Sequence, residues 1–116
     1  MRYLSIAAIV CLLYLVGTSA ATATTKRWNR LYPRWWHSAA LCLHSHEGSW
    51  QDPNAPYYGG MQMDWGFMRH YGGWILRHHG TADHWPIRTQ ILVAYRGYRR
   101  QGFGAWPVTS RLCGFR

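Results

Sequence analysis

The sequence predicts a small, mainly α domain of three to four short helices, with very little strand and one disulfide. Three observations predict it. Apolar residues recur at 3.6-residue spacing around residues 34–47 and 87–101. Glycine and proline punctuate the text between these stretches, which leaves room only for short elements. Two cysteines, Cys42 and Cys113, stand outside an apolar leader, and two cysteines in an exported chain usually pair.

The leader comes first. Met1-Arg2 supplies a positive start, and residues 3–17 form an apolar run interrupted only by Ser5. Ala21-Thr22-Ala23 has the small-residue pattern of a cleavage site, so residues 1–23 read as a secretory signal peptide. The competing reading is a retained anchor, but the run is short of the ~20 residues a spanning helix needs. Removing residues 1–23 from the 116 leaves 93, and the net charge falls from +9 to +8 as Arg2 leaves. A domain that small is marginal without reinforcement. A bond between Cys42 and Cys113 would tie an early helix to the C-terminal tail and contribute about 4 kcal/mol in the chain-entropy model.

Residues 24–34 are a basic lead-in, and the domain occupies 35–116. Pro33 fits a helix start. Trp36, Ala40, Leu43 and Glu47 share one helical face, which predicts a helix over 34–47 stopped by Gly48. Residues 48–60 (GSWQDPNAPYYGG) form a loop in which Gly59-Gly60 allows a tight bend. Met61-Gln62-Met63 is a short extended piece. Asp64 is placed to cap a second helix over 65–71, ended by Gly72-Gly73, with a further turn over 74–79. Asp83 is likewise placed as a cap, and Pro86 opens a helix to Gln101 whose inner face is Ile87, Ile91, Ala94, Tyr95 and Tyr98. The remaining residues, including Cys113, read as irregular.

Thirteen Lys and Arg against four acids imply an anionic partner. Export makes wall polymers or lipid headgroups the candidates and fits poorly with nucleic acid. Glu47 is the only glutamate. It sits at a helix end beside a Trp- and Gly-rich loop, where poor hydration of a carboxylate would favour its protonated form. A carboxyl so placed can donate a proton to a leaving oxygen; the alternative is a solvated helix-end carboxylate. Glycosidases commonly use a second carboxylate about 5 to 9.5 Å away. Asp52, Asp64 and Asp83 are the candidates, and each has a structural role available, Asp52 in an Asx-type turn and the others as caps. A single-acid mechanism, in which a sugar hydroxyl closes on the anomeric carbon, fits that arrangement.

Eight tryptophans are available to stack on sugar faces. Trp50, Tyr57 and Tyr58, in the Gly/Pro-rich loop, are cleft candidates, whereas Trp36, Trp74 and Trp85 are core candidates. Gln62 either satisfies backbone or points into the cleft. Seven histidines raise a metal question, but His44 and His46 are two apart on a helix and no HExxH or CxxC occurs. No metal and no cofactor is expected.

Three segments together resemble the resuscitation-promoting factor family and its lysozyme-like transglycosylase relatives. They are Cys42 followed by Glu47 and Trp50; Pro56-Tyr57-Tyr58-Gly59-Gly60-Met61-Gln62-Met63; and Gln90-Ile91-Leu92-Val93-Ala94 followed by Gly102-Phe103-Gly104-Ala105-Trp106-Pro107 and Cys113. The likeness spans roughly residues 35–114. It implies a lysozyme-like fold, a Cys42–Cys113 disulfide, and cleavage of peptidoglycan between N-acetylmuramic acid and N-acetylglucosamine. Glu47 would be the general acid/base, with Trp50, Tyr58, Gln62 and Asp64 at the sugar. The expected protein is a secreted or wall-associated monomer that contacts peptidoglycan strands and anionic wall polymers, with no stable membrane insertion once the leader is gone. The competing functions are a wall-glycan binding module that does not cut, and a cationic membrane-active domain built on residues 87–101.

Overall fold

The structure, a computed structural model, describes residues 30–115; the predicted signal peptide and residues 24–29 of the lead-in lie outside them. Every element falls in the compact unit that begins at Tyr32. Helix α1 is Arg34–Ser45. The two-residue strands β1 (Tyr57–Tyr58) and β2 (Met63–Asp64) pair antiparallel, with Tyr57 opposite Asp64 and Tyr58 opposite Met63. Helix α2 (Trp65–Phe67) runs through a π-helical turn, Met68–Gly72, into α3 (Gly73–His79). A 3₁₀ turn at Ala82–His84 precedes α4 (Ile87–Gln101), and a second at Gly102–Ala105 precedes α5 (Pro107–Leu112). This is the small, mainly α domain that the periodicities predict, consistent with the lysozyme-like fold that the resemblance implies.

The core forms where α1 meets α4. From α1 it takes Trp36, Ala39, Ala40 and Leu43, at the i, i+3, i+4, i+7 spacing of a single buried stripe. From α4 it takes Gln90, Ile91, Val93, Ala94 and Gly97. The Trp36 ring is fully buried among Tyr95, Tyr98, Phe103 and Trp106, and its Nε1 donates to the Ile91 carbonyl at 3.0 Å. A buried indole needs that partner, because an unmet donor there costs about 1–3 kcal/mol. Ile87, expected on the inner face of α4, is exposed in its first turn. Of the tryptophans read as core, Trp36 and Trp85 are buried. Trp74 is instead exposed and stacks on His78.

Three other expectations are revised. The predicted helix break at Gly72-Gly73 does not occur: the chain continues through the π turn, and Gly72 lies against the buried Trp85 ring. The C-terminal tail is not irregular. Pro107 occupies the first turn of α5, as its fixed φ allows, and Trp106 anchors the helix by donating from Nε1 to the Met61 carbonyl at 2.9 Å. Asp64 does cap α2, accepting from Phe67 N at 2.7 Å, but Asp83 caps nothing; it lies within its 3₁₀ turn and takes the Thr81 hydroxyl and His84.

One buried side chain links α4 to both loops that precede it. Gln90 has no exposed surface. Its Nε2 donates to the Trp50 carbonyl at 2.9 Å and to the Trp85 carbonyl at 3.1 Å, and its Oε1 accepts from Gly60 N at 2.9 Å. Gly59 turns beside it at φ +72°, where a Cβ would run into Oε1. The amide thus meets three backbone groups that burial removes from water. Gln90→Leu keeps the volume and strands all three, so the variant should be less stable by about 3–5 kcal/mol, read from its urea midpoint at unchanged slope.

Candidate active site

Helix α1 ends at Ser45, two residues short of the predicted end at Glu47, and His46 and Glu47 form the turn beyond it. Two links fix this turn to α5. The Cys42–Cys113 disulfide joins the last turn of α1 to the residue that follows α5. One turn earlier on α5, the buried Thr109 donates its hydroxyl to Glu47 Oε1 at 2.9 Å. Cys113 N in turn bonds the Thr109 carbonyl, so hydroxyl and disulfide sit at the two ends of one helical turn. Glu47 is half-buried. Its Oε1 is held, and nothing among the described hydrogen bonds occupies Oε2.

Against the next residue lies an amide–carboxylate pair. Gln62 Nε2 donates to Asp52 Oδ2 at 2.8 Å and to the Gly59 carbonyl at 2.9 Å. Asp52 Oδ1 accepts from the backbone and side-chain nitrogens of Asn54, the Asx turn that the Asp-Pro text predicts. Gly48 makes this packing possible. A Cβ there would stand 2.6 Å from Gln62 Nε2 and 2.7 Å from Asp52 Oδ2. Gln62 itself adopts φ +48°, the left-handed region that costs a non-glycine residue free energy and persists where the surroundings impose it. Its side chain therefore does both things anticipated for it: it satisfies backbone, and it faces a groove.

That groove, about 520 Å³, runs along Tyr57, Gln62, Asp64, Phe67, Tyr71 and Trp106. Aromatic rings share it with an amide and a carboxylate, the mixture that binds a sugar's C–H face and hydroxyls together. Glu47 is not among its lining residues; the contact of Gly48 with Gln62 brings the acid's backbone up to the Gln62 end. Tyr58 lines a second, more open hollow with Pro56, Asp64 and Trp65, so Asp64 borders both. Trp50 borders neither. Its ring stacks on His44 at 3.8 Å between centroids and packs over Gly60. Of the five predicted site residues, the structure thus brings Gln62 and Asp64 to the groove, sets Glu47 and Tyr58 beside it, and gives Trp50 packing contacts instead.

Thr109 enters the site from outside the predicted residues, and Asp52, weighed from sequence as a second carboxylate, enters it as the partner of Gln62. A threonine in the C-terminal tail gives no signal until that tail is known to be a helix bonded to Cys42. Among the described residues, one cluster has metal-ligand composition, Cys42, His46 and Cys113. Both sulfurs are in the disulfide, so it offers only an imidazole.

Asp52 also gives a pH signature. Its hydrogen bonds, led by the Asn54 backbone N–H and then the Gln62 amide, hold its carboxyl below the usual aspartate range. A folded-state value below the unfolded one adds stability above the unfolded pKa of about 3.9 and loses it as pH falls through the folded one. Wild type should therefore exceed Asp52→Asn in thermal midpoint at pH 6, and the gap should narrow steadily as the titration is carried below pH 4.

No family model matches the chain. The chain is similar to resuscitation-promoting factor RpfB of Mycolicibacterium smegmatis, at 37% identity over 82 residues. The match covers 70% of this chain and 22% of that protein, so the chain spans about a fifth of the length of its relative. The likeness supports a relationship of the resuscitation-promoting-factor type for this small disulfide-linked domain.

Proposed function

We propose that the chain is a secreted enzyme that cuts peptidoglycan strands at the bond between N-acetylmuramic acid and N-acetylglucosamine, with Glu47 as its acid/base. One observation carries the reading: a half-buried carboxyl, gripped on one oxygen by Thr109 across the disulfide, adjoins the end of an aromatic and amide-lined groove. The similarity to a resuscitation-promoting factor supports it. In this reading residues 1–23 are removed on export and 35–116 act as the catalytic domain. The strand lies along Tyr57, Phe67 and Trp106, with Gln62 and Asp64 on its hydroxyls. Tyr58 and Trp65 extend the contact over the hairpin.

The chemistry follows from how the carboxylates are used. Asp52 is held by Asn54 and Gln62, Asp64 caps α2, and Asp83 takes Thr81 and His84. Each aspartate has a structural partner, which favours a mechanism that needs one acid. Glu47 gives its proton to the glycosidic oxygen as the bond to the anomeric carbon breaks. The muramic acid's own hydroxyl then closes on that carbon and returns a proton to the Glu47 carboxylate. The product is an anhydro sugar, no water is consumed, and the enzyme ends as it began. A hydrolytic outcome would instead deliver water to the same carbon from a second carboxylate.

The second reading, a wall-binding module that does not cut, keeps the groove and has no use for Glu47. Glu47→Gln separates the two, since the amide can still accept from Thr109 but has no proton to give. The variant should bind purified wall as wild type does and release muropeptides about 10²- to 10⁴-fold more slowly. Equal release by the two proteins would leave the binding module as the better account.

A further inference from the structure

Beside the groove is a second cavity that the cutting reaction does not use. It is about 490 Å³ and is lined by His70, Tyr71, Arg96, Arg99 and Arg100. It shares His70 and Tyr71 with the groove, so the two lie on either side of one wall. The wall is fixed from α4: Arg96 Nη1 donates to the Tyr71 carbonyl at 3.1 Å, and Gln101 Nε2 donates to the Tyr71 hydroxyl at 3.0 Å. Arg96, Arg99 and Arg100 stand at i, i+3 and i+4, on one face of that helix, and all three are exposed.

Among the described residues, no carboxylate is paired with these three guanidinium groups. The protein has four acidic side chains, and every one is engaged elsewhere. Glu47 is on Thr109, Asp52 on Asn54 and Gln62, Asp64 on Phe67 N, and Asp83 on Thr81 and His84. Three like charges on adjacent helical positions repel one another, and an anionic ligand would offset that repulsion. Guanidinium forks match carboxylates in particular, through paired N–H donors.

We propose that this cavity binds the carboxylates of the peptide stems that branch from the glycan strand. The inference rests on the reading of the groove as the site of a peptidoglycan strand. A strand in the groove carries its peptides on the muramic acid units, and a branch leaving past His70 and Tyr71 enters the arginine-lined space. The site selects strands that still bear acidic stems over bare glycan. Each exposed pair adds little alone, so the three together give a preference of about tenfold that weakens as salt rises.

The test measures binding in the Glu47→Gln background, so that no strand is cut. The ligands are purified glycan strands with intact stems, the same strands after amidase removal of the stems, and a phosphodiester wall polymer that carries no carboxylates. The ratio of affinities for stemmed and bare strands should be about ten and should fall to about one in Arg99→Gln/Arg100→Gln. Arg99→Lys/Arg100→Lys should restore part of it. Arg34→Gln/Arg77→Gln removes the same charge from exposed positions outside the cavity and should keep the full ratio. Thermal midpoints of all variants confirm folding. A wild-type ratio of one, or an equal fall in the Arg34/Arg77 variant, overturns the stem site while leaving the groove reading intact. Binding to the phosphodiester polymer that depends on Arg99 and Arg100, with no stem preference, overturns it in favour of a different anion. Failure to bind either kind of strand removes the groove reading as well.

Discussion

The amide of Gln90 is the contact on which the rest of the structure depends. It sits in the packed face of α4 and bonds backbone from the Trp50 turn, from Gly60 and from Trp85. Those segments carry the hairpin that presents Tyr57, Tyr58, Gln62 and Asp64. A chain this short has little apolar area with which to fix a loop of a dozen residues. A buried amide with all its groups met does the fixing at one point, and the aromatic cluster around Trp36 surrounds the helix that holds it.

A second constraint acts on the acid. The disulfide and the Thr109 hydroxyl bind the end of α1 to α5 within one helical turn. Closing a loop with a sequence separation of 71 residues contributes stability of about 4 kcal/mol in the chain-entropy model. It also sets the position of Glu47 relative to Gln62, since Gly48 must meet the Gln62–Asp52 pair without a side chain between them. Four residues separate Cys42 from Glu47, and the structure uses them for the last helical turn and the bend that follows. Stability and acid placement are therefore coupled through the same link.

The parts of the fold written in periodicity were legible. The stripe Trp36, Ala40, Leu43 and the pair Ile91, Ala94 emerged as core, because helix packing needs only the 3.6-residue repeat. Capping by Asp64 and the bend at Gly59-Gly60 were legible because both are local chemistry. Helix α5 was not: its Val, Thr and Ser have modest helix propensity, and it is held by the distant Trp106–Met61 bond and the disulfide. The same limit applies to the site. Glu47 stood out by being the sole glutamate, and Gln62 by lying between two methionines, whereas Thr109 acquires a role only across 62 residues of chain. The stack of Trp50 on His44 was illegible for a related reason, since a tryptophan in a glycine-rich loop gives no hint of the imidazole beneath it.

A crystal structure of Glu47→Gln with a muropeptide tetrasaccharide bound would test the central claim most directly. The account predicts a strand seated on Tyr57, Gln62 and Trp106, with the oxygen between muramic acid and glucosamine about 3 Å from the side chain at position 47. A strand seated in the groove with every glycosidic oxygen beyond hydrogen-bond reach of that side chain would contradict it.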